Sequence, residues 1–247
     1  MINDNIIEIG NLEARYGDNI ILKNVNAVIP RGKISVILGT SGCGKTTLLK
    51  NIVRLYEPYS GTIKIFGQET VGMDPGEFKK ILKKVGMLFQ NGALLNSISI
   101  FDNVAIPIEQ HTNISSELIE AIVNVKLNLV HLGHAIHRFP SELSGGMKKR
   151  AALARAIALD PEILFCDEPS AGLDPLTSAS LDELILNLKK QLAMTIVIVT
   201  HELASIHRIA DNIIFLEKGE AIFCGSLADA LKADIPSIKT FFEAGRF

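Results

Sequence analysis

The stretch GTSGCGKTT, residues 39–47, decides how this chain folds. It satisfies the pattern G-x-x-x-x-G-K-[ST], in which a glycine-rich loop wraps around a phosphate group. The apolar, β-branched run KISVIL at residues 33–38 comes directly before the loop, and helical spacing begins at Lys45. An ordinary glycine turn is the alternative, but a strand before the loop and a helix after it argue against it. The sequence therefore predicts a phosphate-binding loop.

The residue types in this loop suit a nucleotide that is bound through its phosphates. Glycines allow consecutive backbone N–H groups to face a phosphate, and a helix N-terminus adds partial positive charge. Lys45 is expected to reach the outer phosphates, and the hydroxyl of Thr46 is expected to hold Mg²⁺. The predicted binding residues of the loop are Gly39, Thr40, Ser41, Gly42, Cys43, Gly44, Lys45, Thr46 and Thr47.

A pair of carboxylates follows a second apolar run, in ILFCDEP at residues 163–169. In α/β sheets, ligands bind at the carboxyl ends of parallel strands. Asp167 is therefore predicted to orient the water shell of Mg²⁺, and Glu168 to act as general base on an attacking water. By themselves, two carboxylates after a strand could simply cap the next turn. The phosphate loop in the same chain favours the catalytic interpretation.

The stretch ELSGGMKKR, residues 142–150, predicts a second helix that begins at a phosphate. Ser144 is a suitable N-cap, and the following apolar face consists of Met147, Ala151, Ala154 and Ala158. Two glycines in the first turn each cost about 1 kcal/mol relative to alanine, which favours a close backbone approach to a ligand. Three cations crowd the positive end of the helix dipole, where an anion would relieve their repulsion: Lys148, Lys149 and Arg150. A flexible glycine joint beside a solvated cationic face is the alternative.

The order of predicted elements is that of an α/β protein. Strand patterns alternate with helical patterns, which favours a mostly parallel sheet covered by helices on both faces. From residue 91 to about residue 140 the sequence has helical stretches and no strand candidate. We expect one domain with a first part of the nucleotide-binding core at 1–90, an α-helical subdomain at 91–160 and a second part of the core at 161–247.

Composition narrows the classes of function. The chain has 247 residues, of which 47% are hydrophobic, and its net charge of -2 does not favour nucleic acid as a partner. The cysteines Cys43, Cys166 and Cys224 show no paired spacing and are expected to be free thiols. The opening MINDNIIEIG lacks the segments of a signal peptide, and no apolar run approaches the ~18 residues of a spanning helix, so we expect a soluble chain. A mean hydropathy of +0.27 suggests some apolar surface kept for a partner.

LSGG at residues 143–146, the phosphate loop upstream and FCDEPSAGLD at residues 165–174 together resemble ABC-type ATPases, over essentially the whole chain. The resemblance implies a P-loop NTPase (RecA-like) core with antiparallel N-terminal strands and an inserted α-helical subdomain. It also implies that two copies pair head to tail, so that Ser144, Gly145 and Gly146 of one copy close over the ATP in the phosphate loop of the other. A chain with one set of motifs is then expected to be a homodimer that hydrolyses ATP with Mg²⁺.

Further residues match motifs of this family. Tyr16, in ARYGD, resembles the aromatic residue that stacks on adenine, although a tyrosine before a turn is often only packing. Gln90 resembles the glutamine that joins the core to the helical lobe and contacts Mg²⁺ and the attacking water. Asp174 resembles the loop residue that crosses the dimer seam, and His201 the histidine that contacts the γ-phosphate. The family's usual glutamine after LSGG is Met147 here, which removes a polar group near the sandwiched ribose.

Two longer stretches, residues 87–108 and 143–169, resemble the ATPase subunits of Mla and related MCE-type lipid transporters. This resemblance implies transport of phospholipid or other hydrophobic molecules, integral membrane permease subunits as partners, and an MCE-type substrate-binding protein in the complex. It implies a position on the cytoplasmic face of the inner membrane. Two features depart from it: SAGLD is the general form of the ABC family, and the sequence closes on EAGRF without the longer tail that some of those subunits use to clasp each other.

Other interpretations remain open at this point. The chain could serve another ABC importer or exporter, or a DNA-repair or translation ATPase, which usually needs a long coiled coil or two fused cassettes. A small-molecule kinase would share the phosphate loop but has no use for the LSGG helix or a water-activating Glu168. A zinc site would require His131, His134 and His137, but Gly133 interrupts their helix and no carboxylate or cysteine completes the set.

Overall fold

The computed structural model describes residues 4–243, which form two compact units. The first unit contains the chain up to Leu82 and from Thr195 onward, and the second contains Lys83–Met194. The strands are β1 (Asn5–Tyr16), β2 (Asn19–Pro30), β3 (Ile34–Gly39), β4 (Ser60–Ile65), β5 (Gln68–Glu69), β6 (Val85–Leu88), β7 (Ile163–Asp167), β8 (Thr195–Val199), β9 (Asn212–Glu217) and β10 (Glu220–Ser226). The α-helices are α1 (Lys45–Ile52), α2 (Pro75–Leu82), α3 (Ile100–His111), α4 (Ser116–Leu129), α5 (Gly145–Ala156), α6 (Pro175–Leu192), α7 (Leu203–Ile209), α8 (Leu227–Ala230) and α9 (Pro236–Glu243).

The first unit contains an antiparallel sheet in the order β2-β1-β4-β5. Its strands alternate between buried and exposed positions, as expected when one face of a sheet packs on a core. In β2, Val25, Ala27 and Ile29 are buried, while Asn26 and Val28 between them are exposed. This sheet confirms the antiparallel N-terminal strands that the family resemblance implies.

The first unit also contains the strand that leads into the phosphate loop. β3 is buried at every position and pairs in parallel with β8 on one side and β9 on the other, while β10 pairs with β9 in the antiparallel sense. A strand buried on both faces is typical of the parallel sheets in α/β proteins. Since β3 is fixed from both sides, the loop after Gly39 begins at a rigid point.

The second unit combines a parallel strand pair with a group of helices. β6 and β7 pair in parallel, with Leu88 opposite Cys166 at the end of the ladder. α3, α4 and α5 pack against one another, and α5 also packs against α6 and β6. Ser99 caps α3 and forms a reciprocal capping box with Asp102. Across residues 4–243, no helix has the length and apolar character that a membrane span requires.

The structure corrects the sequence reading of the N-terminal strands. The stretches IIEI at residues 6–9 and LEARY at residues 12–16 predict two short strands, but both belong to the single strand β1, and the sequence patterns do not predict β2. The residues of β2 do alternate, but Asn24 and Asn26 interrupt the run with turn-forming side chains. Asn24 has φ 46, and the β1–β2 pairing shifts register beside Val25, so the asparagine lies at an irregularity within a strand.

Helix ends differ from the sequence prediction for a local reason. The spacing of KTTLLKNIVRLY predicts a helix to Tyr56, but α1 ends at Ile52. Arg54 has φ 51, and this reversal lets the Leu55 amide donate to the Lys50 carbonyl at 2.9 Å, which is the bond of a Schellman motif. At the other end of the chain, the stretch SIKTFFEA predicts a final helix over 237–244, and EAGRF at 243–247 overlaps the end of that helix, so both predictions extend outside the described residues.

Candidate functional site

The phosphate loop joins β3 to α1. Gly44 is the N-cap of α1 with φ 105, and no side chain in the described part of the chain caps this helix. The first amide donors of any helix have no partner inside the helix, so an uncapped N-terminus presents them to whatever lies in front of it. The loop therefore offers backbone N–H groups and the positive end of a helix dipole together.

Two positions in the loop require glycine. A Cβ added to Gly39, which has φ 143, would lie 2.1 Å from the carbonyl oxygen of Leu216 in β9. A Cβ added to Gly44 would lie 2.5 Å from Cδ2 of Leu22. Both distances are shorter than Cβ atoms show in real structures, and both φ values lie in the region that favours glycine. The neighbouring strands thus hold this loop in its shape.

Lys45 extends over the loop that precedes it. Its Nζ donates to the carbonyl oxygens of Gly39 at 2.9 Å and Thr40 at 3.0 Å. The Sγ of Cys43 lies 4.0 Å from the same Nζ, and burial raises the pKa of that thiol above its ordinary value. A neutral thiol and an ammonium therefore line the loop, which is the charge pattern that suits an anionic ligand.

Tyr16 and His201 belong to the same unit as the loop. Tyr16 is 43% exposed, and its ring meets that of Tyr56 edge-on with centroids 5.5 Å apart. Edge-to-face packing holds the Tyr16 ring and leaves at least one of its faces available for stacking. His201 is exposed directly after Thr200, at the carboxyl end of β8.

In the second unit, β7 ends at the predicted carboxylates. Asp167 and Glu168 are both half-buried. Glu168 has φ 47, which places a non-glycine residue in the left-handed region. Such residues cost about 1–3 kcal/mol and persist only where the surrounding contacts hold them. Cys166, which comes directly before Asp167, is fully buried, and this burial raises the pKa of its thiol to about 12.

The helix of the LSGG motif begins as the sequence predicts. Ser144 is the N-cap of α5, and its Oγ accepts a hydrogen bond from the Met147 amide at 3.3 Å. The two glycines differ in their surroundings. A Cβ on Gly146 would lie 2.6 Å from Cγ2 of Thr177, whereas the nearest atom to a Cβ on Gly145 is Cδ2 of Leu173 at 3.6 Å. Packing inside the unit therefore explains Gly146 but not Gly145.

The prediction that three cations of α5 await an anion is wrong for two of them. Lys148 is exposed, but Lys149 is only 8% exposed and donates to the carbonyl oxygens of Gln90 and, at 3.2 Å, Glu168. Arg150 donates to the Val130 carbonyl at 3.3 Å and to Oγ of Ser180 at 2.8 Å. A run of cations shows the charge of a helix but not which side faces the interior. The two inner cations are satisfied by oxygen atoms of their own unit.

The segment after β6, which contains Gln90, is held by side chains that the sequence analysis did not single out. The guanidinium of Arg155 donates to the carbonyl oxygens of Gly92 and Ala93, each at 2.7 Å. Asn103 in α3 accepts from the Leu95 amide at 2.8 Å and donates to the Leu95 carbonyl at 3.0 Å. Local sequence carries no signal for these contacts, since each joins residues on different elements.

Asp174 caps α6. Its Oδ1 accepts from the amides of Leu176 and Thr177, both at 3.1 Å, and its other oxygen accepts from the Thr177 hydroxyl at 2.5 Å. Donation by the Thr177 hydroxyl lowers the pKa of Asp174 below its usual range. Leu176, in the first turn of the helix, is 84% exposed. The end of SAGLD is thus a rigid corner with an apolar side chain pointing into solvent.

The three histidines of HLGHAIH lie around a short 3-10 turn, Gly133–Ala135, rather than along one α-helix. Within residues 4–243, no group of three or more histidine, cysteine, aspartate or glutamate side chains is arranged to hold a metal ion. The described cysteines are free thiols, as predicted; Cys43 and Cys166 are buried and Cys224 is exposed.

The predicted site residues are divided between the two units. The first unit contains Tyr16, the loop 39–47 and His201, and the second contains Gln90, the LSGG residues, the carboxylates after β7 and Asp174. Within the second unit, one side chain, Lys149, contacts both the Gln90 and Glu168 segments. Each unit therefore contains its own part of the predicted site residues.

A family model described as "ABC transporter" matches residues 22–171 of the chain. The chain belongs to the ABC transporter ATPases. The match includes the phosphate loop, the LSGG motif and the carboxylates after β7, so the family assignment rests on the same residues as the geometry. This ABC ATPase binds and hydrolyses ATP as the energy-coupling subunit of a transporter.

Relatives of this ABC ATPase match along most of its length. MlaF of Haemophilus influenzae, an intermembrane phospholipid transport system ATP-binding protein, is 43% identical over 94% of this chain and 88% of MlaF. MlaF of Escherichia coli K12 is 40% identical over 97% of this chain and 89% of that protein. The protein Mkl of Mycobacterium tuberculosis, described as a probable ribonucleotide transport ATP-binding protein, is 40% identical over 97% of this chain and 67% of Mkl.

Solved structures share the fold. The cbiO1 protein of Clostridium perfringens, part of the ABC transporter complex cbiONQ, has a TM-score of 0.85 at 28% identity, over 93% of this chain and 92% of cbiO1. The bacterial ABC transporter cassette MJ0796, which was solved as a dimer, has a TM-score of 0.81 at 32% identity, over 90% of this chain and 98% of the cassette. The same cassette was solved as a dimer bound to ADP and Pi. These likenesses confirm the predicted P-loop NTPase fold.

Proposed function

We propose that this ABC ATPase powers a phospholipid transporter of the Mla type, with two copies paired head to tail around two ATP molecules. The 43% identity to MlaF over 94% of this chain carries the proposal, because it extends far outside the residues 22–171 that match the family as a whole. The chain also covers 88% of that MlaF but only 67% of Mkl. Phospholipid is therefore the favoured cargo, and ribonucleotide is the second candidate.

The phosphate loop holds ATP in this proposal. The uncapped N-terminus of α1 and the fixed glycines supply backbone N–H donors for the phosphates, and residues 39–47 form the cradle. Lys45 exchanges its bonds to the carbonyls of Gly39 and Thr40 for bonds to the outer phosphates. Tyr16, held edge-on by Tyr56, stacks on the adenine.

We assign Mg²⁺ binding to three side chains by their chemistry and by the family resemblance. Mg²⁺ prefers oxygen ligands. Thr46 in the first turn of α1 supplies a hydroxyl, Gln90 two residues after β6 supplies an amide oxygen, and Asp167 at the last position of β7 supplies a carboxylate oxygen. A bound Mg²⁺ neutralises charge that develops on the phosphates during hydrolysis. Holding it is the role that we assign to these three side chains.

Hydrolysis needs a base for the attacking water, and Glu168 has that role. Its carboxylate takes a proton from the water as the new bond to the γ-phosphorus forms and the bond to ADP breaks. Gln90 orients the same water, and His201 contacts the γ-phosphate. The left-handed backbone of Glu168 supports this role, because strained residues concentrate at sites whose geometry is constrained by function.

The second copy completes each site. Ser144, Gly145 and Gly146 of one copy face the ATP held by the loop of the other, and Asp174 lies at the seam between them. A Cβ on Gly145 would meet only an ordinary contact, Cδ2 of Leu173 at 3.6 Å, so packing does not require glycine at this position, which supports its approach to a ligand on another chain. Met147 gives this second half of the site one polar group fewer than the family's usual glutamine.

The partners that we propose are integral membrane permease subunits and an MCE-type substrate-binding protein. In this arrangement the chain lies on the cytoplasmic face of the inner membrane, and the α-helical subdomain at 91–160 transmits closure of the dimer to the permease. The core parts at 1–90 and 161–247 carry the ATP site. Net charge of -2 gives no electrostatic reason for a nucleic-acid partner.

Purification of the complex tests the transport proposal. The tagged chain is isolated from detergent-solubilised membranes, reconstituted into vesicles and supplied with ATP and either a fluorescent phospholipid or a radiolabelled ribonucleotide. We expect permease and MCE-type subunits to co-purify and phospholipid alone to move. Movement of the ribonucleotide alone would assign this chain the cargo named for Mkl.

Glu168→Gln tests the assignment of the general base. The variant is expected to bind ATP normally, to hydrolyse it about 100- to 10⁴-fold more slowly and to accumulate as an ATP-bound dimer. Turnover by rapid quench and mass by light scattering with and without ATP measure both effects. Normal turnover in this variant would contradict the assignment while leaving ATP binding by the loop intact.

A further inference from the structure

Lys149 is a buried cation whose partners lie on the backbone. Only 8% of the residue is exposed, and burial lowers the pKa of its ammonium below the usual range, an effect that the neighbouring Cys166, Glu168 and Asp167 oppose. Lysine is among the residues least often buried, because its charge loses hydration there. Its hydrogen bonds to the carbonyl oxygens of Gln90 and Glu168 are therefore what allows the charge to stay inside.

These two carbonyls follow neighbouring strands. The β6–β7 ladder ends with Leu88 opposite Cys166, and Gln90 and Glu168 each stand two residues further on. Beyond the ladder, strand pairing no longer fixes the distance between the two segments. The ammonium of Lys149, which comes from α5, donates to both of them at this point.

The backbone of Glu168 needs such support. Its φ of 47 is unfavourable for a residue with a side chain, so neighbouring contacts must hold it. Its carbonyl accepts from the Ala171 amide at 3.2 Å and from Nζ of Lys149 at 3.2 Å. The direction of the Glu168 carboxylate depends on this backbone conformation, and Lys149 contacts this backbone through the Glu168 carbonyl.

We propose that Lys149 is a positioning residue for ATP hydrolysis, which ties the Gln90 and Glu168 segments together through one buried ammonium. The inference rests on the roles proposed above for Gln90 and Glu168. It assigns to the LSGG helix a task inside its own chain, in addition to the task that Ser144 and Gly145 have toward the partner copy. Since the ammonium of Lys149 donates to backbone carbonyls of its own unit, Lys149 is expected to affect the rate of hydrolysis and not the affinity for ATP.

Lys149→Met in the full-length chain tests this inference, because methionine keeps much of the volume and removes the donors. We expect kcat for ATP hydrolysis to fall by about 10- to 100-fold, which is the loss typical of slightly misplaced catalytic groups, while the Kd for ATP stays unchanged. Lys149→Arg, which retains the charge and the donors, is expected to recover a large part of kcat. A general loss of structure would instead weaken binding and hydrolysis together.

Lys126→Met is the matched control. The side chain of Lys126 is also buried, at 5% exposure, and lies in the same unit, but its ammonium pairs with Asp160. It is expected to leave kcat unchanged. An equal fall of kcat in Lys126→Met, or a wild-type kcat in folded Lys149→Met, would overturn the positioning role.

A replacement variant and a parallel assay of Glu168→Gln distinguish a failure of the positioning role from misfolding and from a wrong general base. If Lys149→Met does not fold, as judged by thermal unfolding, Lys149→Gln takes its place, and a folded Gln variant must show the same fall of kcat at constant Kd. Glu168→Gln is assayed beside them. If it is inactive while Lys149→Met is normal, only the positioning role fails; if it hydrolyses ATP normally, the proposed base is wrong and the positioning role falls with it.

Discussion

The helices α1 and α5 each follow a glycine-containing motif, but they begin in different ways. α1 starts at Gly44, and within the described chain no side chain caps it. α5 starts at Ser144, whose hydroxyl accepts a bond from the helix's own Met147 amide. A free N-terminus is prepared for an anion, whereas a capped one is stable by itself. This difference matches the proposed function, in which α1 holds ATP within one chain and α5 reaches the ATP of the second copy in the dimer.

Lys45→Ala tests the role of the α1 N-terminus in ATP binding and is expected to give the largest effect. The ammonium is expected to make at least two charge-assisted bonds to phosphate, so its loss should lower ATP affinity by about 100-fold or more. Titration calorimetry with ATP measures the change. Lys148→Ala, an exposed cation on α5, is the control and should leave ATP binding by the monomer unaltered. Retained affinity in Lys45→Ala would mean that the phosphates bind elsewhere.

Ser144→Ala tests whether the serine of the LSGG motif acts only as an N-cap of α5 or also contributes to hydrolysis. Loss of the cap should lower the free energy of unfolding by about 1 kcal/mol. Loss of a donor to the phosphate on the partner should lower hydrolysis by about 10- to 100-fold, with ATP binding by the monomer preserved. Chemical denaturation and steady-state hydrolysis are measured on one preparation. A variant that loses stability but hydrolyses ATP normally would show that Ser144 is a cap only.

Gly39 before α1 and Gly145 in α5 are expected to respond differently to substitution by alanine. Gly39→Ala places a Cβ 2.1 Å from a carbonyl oxygen and should destabilise the fold by about 1–3 kcal/mol. Gly145→Ala has ordinary contacts and should raise the free energy of unfolding by about 0.5–1 kcal/mol, since alanine favours helix, while dimer hydrolysis falls. Thermal unfolding and hydrolysis rates test the pair. Full activity in Gly145→Ala would remove the argument that ATP approaches this glycine.

Cys43→Ala should give the smallest effect. Burial keeps the Cys43 thiol neutral by raising its pKa, so the side chain adds no charge to the phosphate loop. If α1 binds ATP through its backbone amides and Lys45, the Kd for ATP should change by no more than about threefold, the loss of one weak contact. Binding is compared at two pH values near neutrality, where no thiolate is expected. A large change would assign the thiol a direct contact.

Local chemistry made several features predictable. The phosphate loop and the Ser144 cap depend on residues within a few positions of one another, so their patterns are visible in the sequence. The strand β2 was missed because Asn24 and Asn26 have turn chemistry, and only pairing with β1 holds them in a strand. The cations of α5 were misread because periodicity does not show that Lys149 and Arg150 face the interior.

The sequence by itself determined the chemistry of this ABC ATPase: a phosphate loop, two carboxylates after an apolar strand, and a capped glycine-containing helix. Each is encoded by residues that are close along the chain, where backbone geometry relates them directly. Three contacts could be known only from the tertiary structure: the close approach of β9 to Gly39, the packing of Gly146 on Thr177, and the hydrogen bonds of Lys149 to the Gln90 and Glu168 carbonyls. Those contacts connect residues far apart in sequence. The glycine contacts arise from close packing of the interior, and the Lys149 contacts arise because a buried polar group needs a hydrogen-bond partner.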